Sequence, residues 1–241
     1  MSLPRIGVLG GMGPAATVML MQRIIAAVPA RDDADHLPLL VDQNPQVPSR
    51  IARLIDGKGD DPAPVLSAMA QGLEQGGARA LVMPCNTAHF YADAIREAVD
   101  IPLIDMIALT VEKAVQSVGR GGKVGVLASP AVESLALYAR PLREHGLTAV
   151  YPTDTNALLE VIQSVKAHGP TLSSRTAFEA LSSALLQAGA KTQLIACTEF
   201  SLIADAISAD ATGFDALDCL VEGTIEFAFR GDANEALVNH Q

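Results

Sequence analysis

One pattern, written twice, constrains this chain more than any other feature. Ile6-Gly7-Val8-Leu9 returns 118 positions on as Val124-Gly125-Val126-Leu127. Gly77-Ala78, an apolar run and Cys85 return 112 positions on as Gly189-Ala190, an apolar run and Cys197. Ile104-Asp105, followed by a helical pattern, returns 110 positions on as Phe214-Asp215, followed by another. Self-similarity of this kind marks a duplicated structural unit, so whatever one half folds into, the other must fold into as well.

What the unit is follows from its periodicity. Short apolar, β-branched runs lie at Arg5–Leu9, Leu37–Val41, Ala80–Met83, Leu103–Ile104, Lys123–Leu127, Thr148–Tyr151, Gln193–Ala196 and near Phe214. Longer helical patterns lie between them, at Ala15–Val28, Pro64–Gln75, Thr110–Val118, Ala131–Glu144 and Ser174–Ala188. Strands alternating with helices at this spacing predict parallel sheets covered on both faces. The expected fold is therefore α/β: two similar three-layer domains with mostly parallel sheets, related by a pseudo-twofold axis. The active site is expected in the cleft between them, because ligands bind beyond the carboxyl ends of such strands. The segment from Phe214 repeats the one from Leu103 and is expected to pack back onto the first half. That assigns 1–104 plus 210–241 to the first domain and 105–209 to the second.

Composition narrows the function. With 49% apolar and 18% charged residues over 241, the chain can bury large cores. A net charge of -10 with no Lys or Arg block argues against nucleic acid or an anionic membrane surface as partner. No apolar run approaches the ~20 residues of a membrane span, and Met1–Leu9 lacks the pattern of a secretion signal, so the cytoplasm is the expected location. Three widely spaced cysteines make no disulfide framework, and their thiols are expected to be reduced.

A lone free cysteine is most often a small core residue, and Cys219, inside the helical pattern Leu217–Phe229, is read as one. Cys85 and Cys197 differ, since each ends an apolar strand, opens a helix and is followed by hydroxyl or amide residues: Cys85-Asn86-Thr87-Ala88-His89 and Cys197-Thr198-Glu199. Backbone N–H groups and a helix dipole at that place favour the thiolate. Asn86, Thr87 and Thr198 add donors for a carboxylate. His89 and His145 lack neighbours at metal-ligand spacing, and no metal is expected. The loop Gly11-Met12-Gly13-Pro14-Ala15-Ala16 fits the dinucleotide pattern G-x-G-x-x-G/A, but Asp42 lies 29 residues past Gly13 rather than about 20. The loop reads instead as a floor for an anionic substrate, with Pro14 at the first helical position.

Pro84-Cys85-Asn86-Thr87-Ala88-His89, Cys197-Thr198-Glu199, Gly10-Gly11-Met12-Gly13-Pro14 and Asn44-Pro45-Gln46-Val47-Pro48-Ser49-Arg50 together resemble the aspartate/glutamate racemase family, in its aspartate racemase branch. The likeness runs from Arg5 to the helix after Asp215. It implies a cofactor-independent, pyridoxal-free racemase in which Cys85 and Cys197 act on opposite faces of one α-carbon, one as thiolate and one as thiol. It implies that Arg50 and Lys166 hold substrate carboxylates, that Asn86, Thr87 and Thr198 grip the α-carboxylate and amine, and that Met12 lines the site. Ser129 stands where relatives often carry Thr, and Ala196 where a Gly before the second cysteine is usual. The implied partner is a small carboxylate or amino acid, and a homodimer is implied as well. Ser129 and Glu199 are counted with the substrate-binding residues, and Glu199 is placed to orient Cys197 or relay protons to it. Each residue has a structural alternative: a solvated loop position for Arg50, a dipole cap at a helix end for Lys166, and a cap of the following helix for Glu199. Two other classes stay open. One is a different enzyme on the same scaffold, such as a hydantoin racemase, maleate isomerase or malonate decarboxylase; the other is a non-catalytic small-molecule binder.

Overall fold

The protein is described from a computed structural model covering residues 3–230, in which the chain forms two α/β units. Of the described residues, the first unit takes 3–106 and 220–230 and the second takes 107–219. Residues 1–2 and 231–241, placed in the first domain above, lie outside the described residues.

The first unit contains β1 (Ile6–Gly10), α1 (Pro14–Ala27), β2 (Leu39–Gln43), α2 (Arg50–Leu54), α3 (Ala63–Gln75), β3 (Ala80–Val82) and α4 (Ala92–Ala98). Its sheet has the order β2-β1-β3, all parallel. Every residue of β1 is buried, and α1 and α3 both pack on it, as expected of a parallel strand covered on both faces. The chain continues through α5 (Met106–Ser117), β4 (Lys123–Ala128), α6 (Pro130–Ser134), α7 (Ala139–Glu144), β5 (Thr148–Val150), α8 (Thr155–His168), α9 (Leu172–Gln187), β6 (Thr192–Ala196), α10 (Thr198–Ser201), β7 (Thr212–Asp215) and α11 (Ala216–Arg230). The second sheet has the order β5-β4-β6-β7, again parallel.

The duplication extends to individual contacts. Ile6 pairs with Leu39 and Ala80, while Val124 pairs with Ala149 and Thr192, at the offsets 118, 110 and 112. A Cβ on Gly7 would press on Leu73, Ala78 and Leu81; one on Gly125 would press on Leu185, Ala190 and Gln193, the same three positions 112 residues later. Arg5 donates from Nη1 to the carbonyl of Gly76, and Lys123 from Nζ to that of Ala188, each at 2.9 Å. Both cations thus satisfy a carbonyl at the carboxyl end of a helix, where orphan acceptors and negative dipole charge favour them.

One expectation is corrected here. The strand near Phe214 does not pack back onto the first half: β7 pairs with β6 from Thr192↔Thr212 to Ile195↔Asp215. The chain returns to the first unit at Leu220, inside α11, rather than near 210. Its counterpart in the first unit is a single bridge, Leu81↔Leu103. Thr212 donates its N–H to Lys191 O at 2.9 Å, whereas the matching position 110 residues earlier is Pro102, which has no N–H to donate. The fourth strand is therefore complete in one unit and nearly absent in the other. The helix expected over Ala131–Glu144 is also broken into α6 and α7 by a turn in which Ala136 takes a positive φ of 52°.

Candidate active site

In the first unit the site residues gather at the carboxyl ends of the strands. Cys85 is the third residue after β3, is 7% exposed, and donates its N–H to Met83 O at 2.8 Å. Asn86, buried, opens the 3-10 turn Thr87–Tyr91, whose first residue is half-buried. Met12, just past the end of β1, belongs with Val47, Cys85 and Tyr91 to one apolar cluster. The adjacent Gly11 is there for close approach: its φ is +91°, and a Cβ would lie 2.3 Å from the carbonyl carbon of Asn44. Its N–H donates to Thr17 Oγ1 at 2.9 Å. Pro14 takes the first position of α1, as read from the sequence.

Arg50 is not a solvated loop residue. It begins α2 behind Ser49, which caps that helix by accepting from the Ala52 N–H, and its Nη1 donates to Val47 O (3.3 Å) and Pro48 O (3.1 Å). Arg50 Nε and Tyr91 Oη are both buried without a hydrogen-bond partner among the described residues. Burial raises the Tyr91 pKa, as does the nearby Asp61, while the cations Arg53 and Arg50 pull it down.

His89 is neither a helix-surface residue nor idle. It is 6% exposed, with Nδ1 2.8 Å from Cys85 O and Nε2 3.2 Å from the Met106 N–H. A carbonyl can only accept and an amide N–H only donate, so Nδ1 carries the proton and the ring is neutral. Burial lowers its pKa below the ordinary 6.5, with Asp105 opposing. As pH falls through about 6.5 the unfolded chain takes up this proton first. The stability His89 contributes is thus intact above 6.5 and declines below it, by up to about 1.4 kcal/mol per pH unit, until the folded pKa is reached. His89→Ala should cost about 2–4 kcal/mol, since it leaves a buried carbonyl and N–H without a partner, and should flatten this acid limb in denaturant titrations at pH 5 to 7.5. An unchanged pH slope would show that the ring does not make this clamp.

In the second unit Ser129 follows β4 and Cys197 follows β6; because Ala128 pairs with Ala196, these two occupy neighbouring places at the sheet edge. Ser129 Oγ is buried with no hydrogen-bond partner among the described residues. Cys197 is 8% exposed, as is Thr198. The expectation that its setting favours the thiolate is corrected: burial and the neighbouring Glu199 raise the Cys197 pKa well above the usual thiol range, and the Glu199 and Phe200 backbone N–H groups only partly oppose this. Burial is the largest cause, and α10, with four residues, has little dipole to set against it. Glu199 does not serve as a helix cap either. Its Oε2 accepts the Cys197 thiol at 3.1 Å, and its Oε1 lies 3.7 Å from Lys166 Nζ. Lys166, in the last turn of α8, has a 67% exposed side chain. Its cation is therefore neither desolvated nor uncompensated.

Ser201 was missed by sequence reasoning. It donates to Asp215 Oδ1 at 2.9 Å and lies 3.5 Å from Cys197 O; Asp215 Oδ1 also accepts the Leu217 N–H. Ser201 stands 112 positions after His89, so each cysteine carbonyl is met by the residue four places on, which in turn reaches the segment after the fourth strand position. Extending the repeat four residues past each cysteine would have found the pair. Cys219 is buried in α11. Among the described residues no group of three His, Cys, Asp or Glu is placed to hold a metal, and no helix is long and apolar enough to cross a membrane.

The model of the Asp/Glu/Hydantoin racemase family matches residues 9–224, most of the chain and both cysteine motifs. The chain belongs to that family. Among the relatives of this family member is the broad specificity amino-acid racemase RacX of Bacillus subtilis, 24% identical over 225 residues, covering 91% of this chain and 96% of RacX. The glutamate racemase of Persephonella marina is 30% identical over 132 residues, covering 54% of this chain and half of that enzyme. Among solved structures, the aspartate racemase of Picrophilus torridus superposes with a TM-score of 0.83 at 26% identity, covering 92% of this chain and 93% of that one. Family and neighbours support racemase activity, that of an isomerase acting on amino acids.

Proposed function

We propose that the protein is a pyridoxal-independent amino-acid racemase in which Cys85 and Cys197 exchange protons with the two faces of one substrate α-carbon, with aspartate the first substrate and glutamate the second. The observation that carries this reading is the equivalence of the two cysteines: each follows the matching strand of a duplicated unit, β3 or β6, under conserved register. Two groups placed this way in two copies of one scaffold are suited to serve the two faces of one substrate. Thiolate at one sulfur removes the α-proton, a planar carbanion forms, and the thiol opposite returns a proton. Each positioned acid or base contributes about 10²–10⁴-fold.

Arg50 Nε, Tyr91 Oη and Ser129 Oγ support a polar ligand, because a buried donor left unsatisfied costs about 1–3 kcal/mol. Arg50 is the carboxylate clamp, with Asn86, Thr87 and Thr198 around the α-carboxylate and amine and Met12 at the wall. The exposed, already paired Lys166 favours a second reading, wider amino-acid specificity like that named for RacX, since it weakens the case for a strict dicarboxylate site. A cytoplasmic homodimer belongs to the same reading through the family likeness. The test is chiral chromatography of the pure protein, without pyridoxal phosphate, on each enantiomer of aspartate, glutamate and a panel of neutral and basic amino acids. Fastest racemisation of aspartate is expected. Comparable rates across the panel would select the wider reading, and no turnover of any amino acid would defeat both.

A further inference from the structure

We propose that Glu199 fixes which cysteine is the acid: in the resting protein it holds the hydrogen of Cys197, so that Cys197 waits as the thiol and the proton-abstracting thiolate is Cys85. The geometry is local to the second unit. Cys197 Sγ donates to Glu199 Oε2 at 3.1 Å, and Glu199, with a side chain only 17% exposed, offers its other oxygen to Lys166 at 3.7 Å. A carboxylate this close both accepts the S–H and opposes a second negative charge on the sulfur. Burial of Cys197 acts in the same direction.

Among the described residues, the elements that pack most closely on α10 supply one cation to this pair. α10 packs on α8 and β6; β6 carries no charged side chain, and of Glu160, Lys166 and His168 on α8, Lys166 is the one paired with Glu199. Asp215, at the end of β7, reaches the Cys197 carbonyl region through Ser201 and adds a further negative group. Lys166 therefore moderates the effect of Glu199 from the exposed side. The first unit has no carboxylate at the matching place, because the residue two after Cys85 is Thr87. This is the position at which the two cysteine loops differ in charge.

The assignment rests on the racemase reading for its meaning but is tested without turnover. In a Cys85→Ser/Cys219→Ser background, where Cys197 is the remaining cysteine, thiolate absorbance near 240 nm is titrated against pH. With Glu199 present the midpoint should lie above that of an ordinary thiol. Glu199→Gln should lower it by about one to three pH units, Glu199→Asp should leave it near the starting value, and Lys166→Met should raise it. A Glu199→Gln midpoint unchanged within a few tenths of a unit, with native circular dichroism, would overturn the assignment. If Glu199→Gln fails to fold, Lys166→Met decides alone: a midpoint that does not rise sinks the proposal. Racemase assays on the wild type fail or succeed independently, so loss of the functional reading and loss of this assignment are distinguishable.

Discussion

Replacing either Cys85 or Cys197 by Ser should reduce racemisation by at least about 10²–10⁴-fold while leaving the fold in place. Serine is close to cysteine in size, and both positions keep a trace of exposure, so the thermal midpoint should move by only a few degrees. A serine hydroxyl is far too weak an acid to be present as alkoxide at neutral pH. The double variant should be no slower than the slower single one, because removal and return of the proton are two halves of one event and groups acting as a unit are not additive. Cys219→Ser is the control: buried in α11 and outside both cysteine motifs, it should affect stability and not turnover per folded molecule. Chiral chromatography of the variants, normalised to folded protein, reads the result. Full activity in Cys85→Ser or Cys197→Ser would end the two-base assignment.

The second large effect is on stability. Gly11→Ala should destabilise the first unit by about 2–5 kcal/mol. The backbone there has φ +91°, worth roughly 1–2 kcal/mol against a non-glycine residue, and the added Cβ would sit 2.3 Å from the Asn44 carbonyl carbon and 2.5 Å from its oxygen. Both obstacles are backbone, so neither can rotate away. A fall in thermal midpoint of roughly 5–15 °C is expected, against little change for Gly119→Ala, where a Cβ meets nothing within 4 Å. Equal midpoints for the two variants would mean that the ends of β1 and β2 are not locked together in this way.

Much of the fold could be read from the sequence because the chain says the same thing twice. Ile6-Gly7-Val8-Leu9 and Val124-Gly125-Val126-Leu127 became the central strands β1 and β4, and the offsets between repeated motifs are the offsets between paired strands. The fourth strand was misassigned because its repeat was read as a sign of where the chain returns, whereas a strand is placed by its hydrogen-bond partner. Phe214 repeats Ile104, so it had to pair with β6, and Pro102 then shortened the first copy to one bridge.

The site was legible as positions and less so as chemistry. Cys85, Cys197, Met12, Arg50 and Ser129 all lie at or near strand ends, as strand-end logic predicts. The protonation bias of Cys197 was not, because burial and a carboxylate two residues away outweigh a four-residue helix, and periodicity cannot rank those effects. The ion pair of Lys166 was not legible either, since Glu199 lies 33 positions away and meets it through the packing of α8 on α10. His89 needed the pairing with Ser201 to be recognised.

The claim on which the functional account turns is that two sulfurs, one on each face, handle the same α-carbon. Mass spectrometry of separated enantiomers, at early times in D₂O and starting from one pure enantiomer of aspartate, tests it directly. Two bases predict that newly formed product carries deuterium at Cα while the unreacted substrate pool stays protiated. Deuterium entering recovered substrate as fast as product, or product that keeps its original proton, would contradict it.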